Sequence, residues 1–205
     1  MRKLVRLSLV AGASAAVIGG AVVAAPSMAA PGGGECSLHG TATFSNPGVG
    51  AADPFTYSFD GTLSNCGSSA KMGPDSGGVI EAGEDFTYGG VSYASLGTPS
   101  GTGDCASGTT AGTSVVSWDD GTYSFIDYTT TSGGAGVVLQ GTVATAVQAV
   151  NKATGAITTL ASTKYAGNGA AGVLAFEVTN PTDCQSATGV TSAGIDGVTG
   201  IGSQS

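Results

Sequence analysis

A single histidine, His39, confines imidazole chemistry in this chain to one position. A nucleophilic relay sets such a ring between a hydroxyl and a carboxylate. Serines and aspartates are plentiful, but no Gly-x-Ser-x-Gly elbow occurs, and His39 falls in an alternating run. It is expected as a strand residue at the surface. Asp119 and Asp120 are adjacent carboxylates beside Gly121. At a strand end such neighbours point apart into water, whereas acid–base catalysis needs two facing carboxyls in unequal environments. Glu81, Glu84 and Asp85 cluster more loosely, and a glycosidase pair among the fourteen acids is the enzymatic alternative. No Cys-x-x-Cys pair or Asp-x-Asp-x-Asp loop occurs, so neither a thiolate zinc site nor a calcium loop is expected. Gly167-Asn-Gly169-Ala-Ala-Gly172 fits the dinucleotide pattern, but no strand–helix unit surrounds it, and 36 glycines make chance matches common. It reads as a loop. No catalytic residue and no cofactor is predicted.

The set expected to gather is aromatic: Trp118, Tyr123 and Phe125. They flank Asp120-Gly121, and Asp-Gly between alternating runs signals a tight hairpin, because both turn residues need φ > 0. With these two residues as the loop, Trp118 faces Tyr123, Val116 faces Phe125 and Val115 faces Ile126. A three-residue loop would set Trp118 opposite Thr122 and Ser114 opposite Ile126, scattering the apolar residues. Cross-strand aromatic pairs contribute about 0.2–1 kcal/mol each, so the two-residue register is expected. One face then carries all three aromatics. It is either a platform for an apolar molecule or a sugar, or ordinary core.

The elements that must position this face belong to an exported chain. Arg2, Lys3 and Arg6 precede an apolar, Ala- and Gly-rich run to Ala25, and Ser27 and Ala29 have cleavage-site spacing. Residues 1–29 read as a signal peptide removed from the mature protein. A membrane anchor is the alternative, disfavoured because Ala and Gly are only weakly apolar. Beyond residue 29, three lysines and no arginine face fourteen acids, a net charge of −11. Such a surface repels phosphate backbones and anionic lipid, so neither nucleic acid nor an anionic membrane is an expected partner. Four cysteines in an exported chain predict two disulfides, and the strand pattern favours Cys36–Cys66 and Cys105–Cys184.

Residues 30–35 read as a flexible leader and 36–205 as one β domain. Residues 38–44 and 55–63 alternate, with Phe55, Tyr57, Phe59, Gly61 and Leu63 on one face. Antiparallel pairing sets Leu38 against Leu63, Gly40 against Gly61, Ala42 against Phe59 and Phe44 against Tyr57. Cys36 then falls one residue short of Cys66, an offset that a bulge must absorb. Short strands follow at 79–82, 85–88 and 91–93, with a loop at 97–108. Further strands are expected at 137–143, 157–165, 173–179 and 190–198. Residues 144–153 are helical by composition but also alternate. The class is all-β: a mostly antiparallel, hairpin-rich barrel or sandwich of about ten short strands.

The segments Cys-Ser-Leu-His-Gly-Thr-Ala-Thr-Phe, Phe-Asp-Gly-Thr-Leu-Ser-Asn-Cys, Ser-Trp-Asp-Asp-Gly-Thr, Val-Leu-Gln-Gly-Thr-Val and Asn-Pro-Thr-Asp-Cys together carry a resemblance. Across most of residues 36–194 the chain resembles secreted proteins of actinobacteria. That resemblance implies an exported, two-disulfide β-fold and no particular activity. The expectation is a secreted or cell-surface, non-enzymatic β-domain binding a small hydrophobic or glycan ligand, or a protein. A carboxylate-dependent hydrolase and an envelope pore are the alternatives. Short strands and missing aromatic girdles count against the pore.

Overall fold

A computed structural model describes residues 34–68 and 76–202. The expected signal peptide at 1–29 lies outside the described residues, as does most of the leader. Gly34 and Glu35, expected in the leader, instead open the first strand. The strands are β1 (Gly34–Phe44), β2 (Phe55–Ser68), β3 (Gly78–Ala82), β4 (Phe86–Tyr88), β5 (Val91–Tyr93), β6 (Ser100–Gly103) and β7 (Ser107–Trp118). They continue with β8 (Tyr123–Gly133), β9 (Gly136–Ala144), β10 (Ala146–Val150), β11 (Ile157–Ala161), β12 (Gly169–Glu177) and β13 (Ser192–Gly202). A 3₁₀ turn, Pro181–Gln185, precedes β13.

Eight strands close into an antiparallel barrel in the order β1-β13-β12-β9-β8-β7-β3-β2, because β1 pairs with both β13 and β2. At one end, where β3 stops after five residues, β6 bridges β2 and β7. The architecture is thus a barrel. Seven of its strands run nine residues or more, longer than the sequence predicts. The expected loop at 97–108 contains β6, and the glycine pattern at 167–172 enters the ladder of β12. Within residues 144–153, helical by composition, Ala146–Val150 forms β10, which pairs with β11.

The β1–β2 register is the one that the alternation predicts: Leu38–Leu63, Gly40–Gly61, Ala42–Phe59 and Phe44–Tyr57. A bulge between Glu35 and Ser37 absorbs the cysteine offset. Cys36–Cys66 and Cys105–Cys184 are both disulfides. The paired glycines make room for an aromatic ring. A Cβ would lie 2.5 Å from Phe59 Cζ at Gly40 and 2.7 Å from it at Gly61.

The β7–β8 register differs from expectation by one residue. Ser117 faces Tyr123, Val116 faces Ser124 and Val115 faces Phe125. The loop has three residues: Trp118 N–H donates to Thr122 O at 2.9 Å, and Gly121, at φ +80°, donates to Trp118 O. This is the type I turn closed by a left-handed glycine, the next commonest hairpin after the two-residue forms. A one-residue slip sends every side chain of one strand to the opposite face. Trp118, Val116 and Ile126 accordingly enter the barrel, while Val115 and Phe125 point outward.

Two features favour this register. Inside, the Trp118 indole N–H donates to Ser124 Oγ at 2.9 Å, and that hydroxyl donates to Lys164 O at 2.8 Å. Outside, the β4–β5 and β10–β11 hairpins cover the wall and bury Phe86, Tyr93, Ala149 and Leu160 with Val115 and Phe125. Phe125 lies 6.1 Å edge-on to Phe86 and 5.9 Å from Tyr88. The outer face of the hairpin is therefore a second core, and large apolar residues are at home on both sides. Phe125→Ala should lower the unfolding free energy by about 3–5 kcal/mol in urea titrations. An uncovered outer face would give a change within about 0.5 kcal/mol.

Candidate functional site in the barrel interior

Alternation in a closed sheet sends every second side chain into one shared space. On β1 and β2 the inward residues are Leu38, Ala42, Phe55, Tyr57 and Leu63, and β12 and β13 add Leu174 and Ile201. Eight strands leave an interior that side chains just fill or that holds one small ligand. Here they do not fill it. A cavity of about 140 Å³ lies inside, walled mainly by aliphatic and aromatic carbon.

The two ends differ. Toward the Cys36–Cys66 end the interior is packed, with Trp118 3% exposed. Tyr165 lies edge-on to its indole at 5.5 Å, and Lys164 Nζ sits 5.6 Å from the indole centre. At the other end Phe44 stands among Phe55, Tyr57 and Phe176 at ring separations of 5.7–6.1 Å. Two crossing segments cover that end, joined where Val49 and Val190 exchange backbone hydrogen bonds of 3.0 and 2.9 Å. A Cβ at Gly48 would fall 2.0 Å from Val190 O, so only glycine allows this crossing. Cys105–Cys184 ties the same cover to the turn that enters β7.

One wall is polar. Tyr128 and Tyr57 hydroxyls lie 2.8 Å apart, Tyr57 and Thr110 2.9 Å, and Thr110 and Thr130 2.8 Å. Gly112 leaves the space for this chain, since a Cβ there would be 2.9 Å from the Tyr128 oxygen. Burial pushes both phenols above their usual pKa, so they stay neutral. Ser114, 3% exposed, continues the polar stripe along β7. Among the described residues Asp104, itself exposed, is the one charged residue in the cavity lining, at the covered end. Backbone N–H groups of Ser107 and Ala106 hold its carboxyl below the usual range.

The residues singled out from the sequence lie elsewhere. Trp118, Tyr123 and Phe125 do not share a face. Trp118 belongs to the interior core, Phe125 to the outer core, and Tyr123 packs 4.5 Å from Tyr88 on the outside. None of the three lines the cavity. His39 projects from the outer wall and pairs with Asp196 across the β1–β13 ladder. Glu81 is also on the outer wall. Burial, then Asp60 opposite it and Glu84, push its carboxyl up. Among the described residues no group of three or more His, Cys, Asp or Glu is placed to hold a metal ion.

Tyr57 is legible as inward from the alternation of β2. Tyr128, Thr110, Thr130 and Ser114 are not, because the expected register sets them on the wrong faces relative to one another. The signal that could have found them is the run of small and hydroxyl residues Thr110-x-Gly112-x-Ser114 on one side of β7.

No family model matches the chain, and comparisons with curated proteins and with solved structures give no match.

Asp120 has a structural role at the packed end. Lys164 Nζ at 2.6 Å and the Thr122 hydroxyl and N–H lower its carboxyl to about 2, from 3.8. A depressed carboxylate contributes stability that is complete above its unfolded pKa and lost as pH falls through the folded one. Urea midpoints of the wild type should therefore fall between about pH 4 and pH 2. Asp120→Asn should flatten this dependence.

Proposed function

We propose that this protein is an exported, non-enzymatic binder of one small apolar molecule held inside the barrel. The observation that carries the reading is the 140 Å³ cavity with a carbon wall and a neutral hydroxyl stripe. It is close in size to an engineered ~150 Å³ apolar cavity that stays dry and takes up benzene. Export is supported by the basic and apolar leader in the sequence and by the two disulfides, which persist in oxidising compartments. The excess of acids supports the absence of nucleic-acid and anionic-membrane partners.

The alternatives find less support. A glycosidase needs two carboxyls facing one space, and among the described residues only Asp104 lines this one. Strand length does not weigh against a pore, since most barrel strands are long enough to span. Polarity does. A membrane barrel is apolar outside and polar within. This one shows Glu35, His39, Thr41 and Thr43 on the outer face of β1, and Thr56, Asp60 and Thr62 on that of β2.

Benzene titration tests the reading. Methyl resonances of Val116, Ile126 and Leu174 should shift saturably, and the melting temperature should rise with benzene concentration. Ala42→Phe, which fills the cavity from β1, should keep the folded spectrum and lose both effects. Shifts that never saturate, or that persist unchanged in the folded variant, would sink the reading.

A further inference from the structure

The polar stripe bears on which molecules the cavity takes. Four hydroxyls, those of Tyr128, Tyr57, Thr110 and Thr130, are joined by three hydrogen bonds. Each bond uses one proton, so one hydroxyl proton of the chain is left to donate. Beside it, Ser114, 3% exposed, lines the cavity on the same side of β7 as Thr110. An oxygen in the cavity can hydrogen-bond to these hydroxyls. Among the described residues no Lys, Arg or His lines the space. A carboxylate or phosphate there would lose its water and gain no cation from the described lining.

Building on the cavity-binding reading, we propose that the site selects an uncharged molecule with one oxygen function, an alcohol or ketone of about six to eight heavy atoms. Its oxygen docks on the Ser114 and Tyr128–Tyr57–Thr110–Thr130 hydroxyls, its carbon fills the aliphatic side, and carboxylates are excluded. The phenols add no anion of their own, because burial keeps both protonated.

Isothermal titration with 1-hexanol, hexanoate and benzene separates this proposal from the reading beneath it. At pH 7, 1-hexanol should bind and hexanoate should bind at least a hundredfold more weakly. Tyr57→Phe and Ser114→Ala should each weaken 1-hexanol by about threefold to tenfold and leave benzene unchanged. Benzene serves as the control for folding, since it needs the cavity and not the hydroxyls. If hexanoate binds as well as 1-hexanol, or if both variants leave 1-hexanol unaffected while benzene binds, the selectivity proposal is wrong and the cavity reading stands. If neither benzene nor 1-hexanol binds, the cavity reading itself is overturned.

Discussion

The backbone of β1 is hydrogen-bonded along both edges, to β2 on one side and β13 on the other. That double pairing turns a sheet into a cylinder and leaves its eight strands without a free edge. A chain so poor in lysine has few charges with which to guard an edge, and closure removes the need. Closure also fixes parity. Once β1 and β2 are in register, every later strand must present one set of alternate residues to the same enclosed space. The short β3 and the bridging β6 show how the ladder is kept continuous where one strand is too short to reach the rim.

Parity explains what was legible in the sequence. β1 and β2 could be read to the residue, because their outward positions are Thr, Ser, Asp and His, and only one face is apolar. The glycine pair opposite Phe59 fits the same logic, since small residues are needed where a ring lies flat on the wall. β7 and β8 could not be read this way. Val115 and Phe125 pack under two hairpins that come from residues 86–93 and 146–161, distant in sequence. With apolar residues on both faces, scoring cross-strand pairs by likeness no longer identifies the register. The turn chemistry then decides it, through the left-handed Gly121 and the Ser124 hydroxyl that accepts from Trp118. Both disulfides were legible, although only Cys36 and Cys66 are brought together by strand pairing; Cys105 and Cys184 meet from a turn and the 3₁₀ segment.

The candidate site was hidden for the same reason. Its polar members come from β2, β7 and β8, and their convergence depends on the register that the sequence leaves ambiguous. Their chemistry is also quiet. Catalytic constellations announce themselves by charge and by unusual residues, whereas this wall is made of tyrosine together with threonine and serine, which abound throughout the chain. What distinguishes these hydroxyls is enclosure. In a low-dielectric interior a hydroxyl chain keeps its polarity without carrying charge.

The bond between Cys105 and Cys184 fixes one side of the cover over the barrel's end. It fastens the 3₁₀ turn that bears Cys184 to the wall at the start of β7, while residues 45–54 cross over it with hydrogen bonds at Gly48 and Val49 and no covalent tie. The cover is therefore cross-linked to the wall on one side and held by backbone hydrogen bonds on the other, so reducing this one disulfide would leave the β ladder of the cylinder intact while removing the cover's covalent tie to β7.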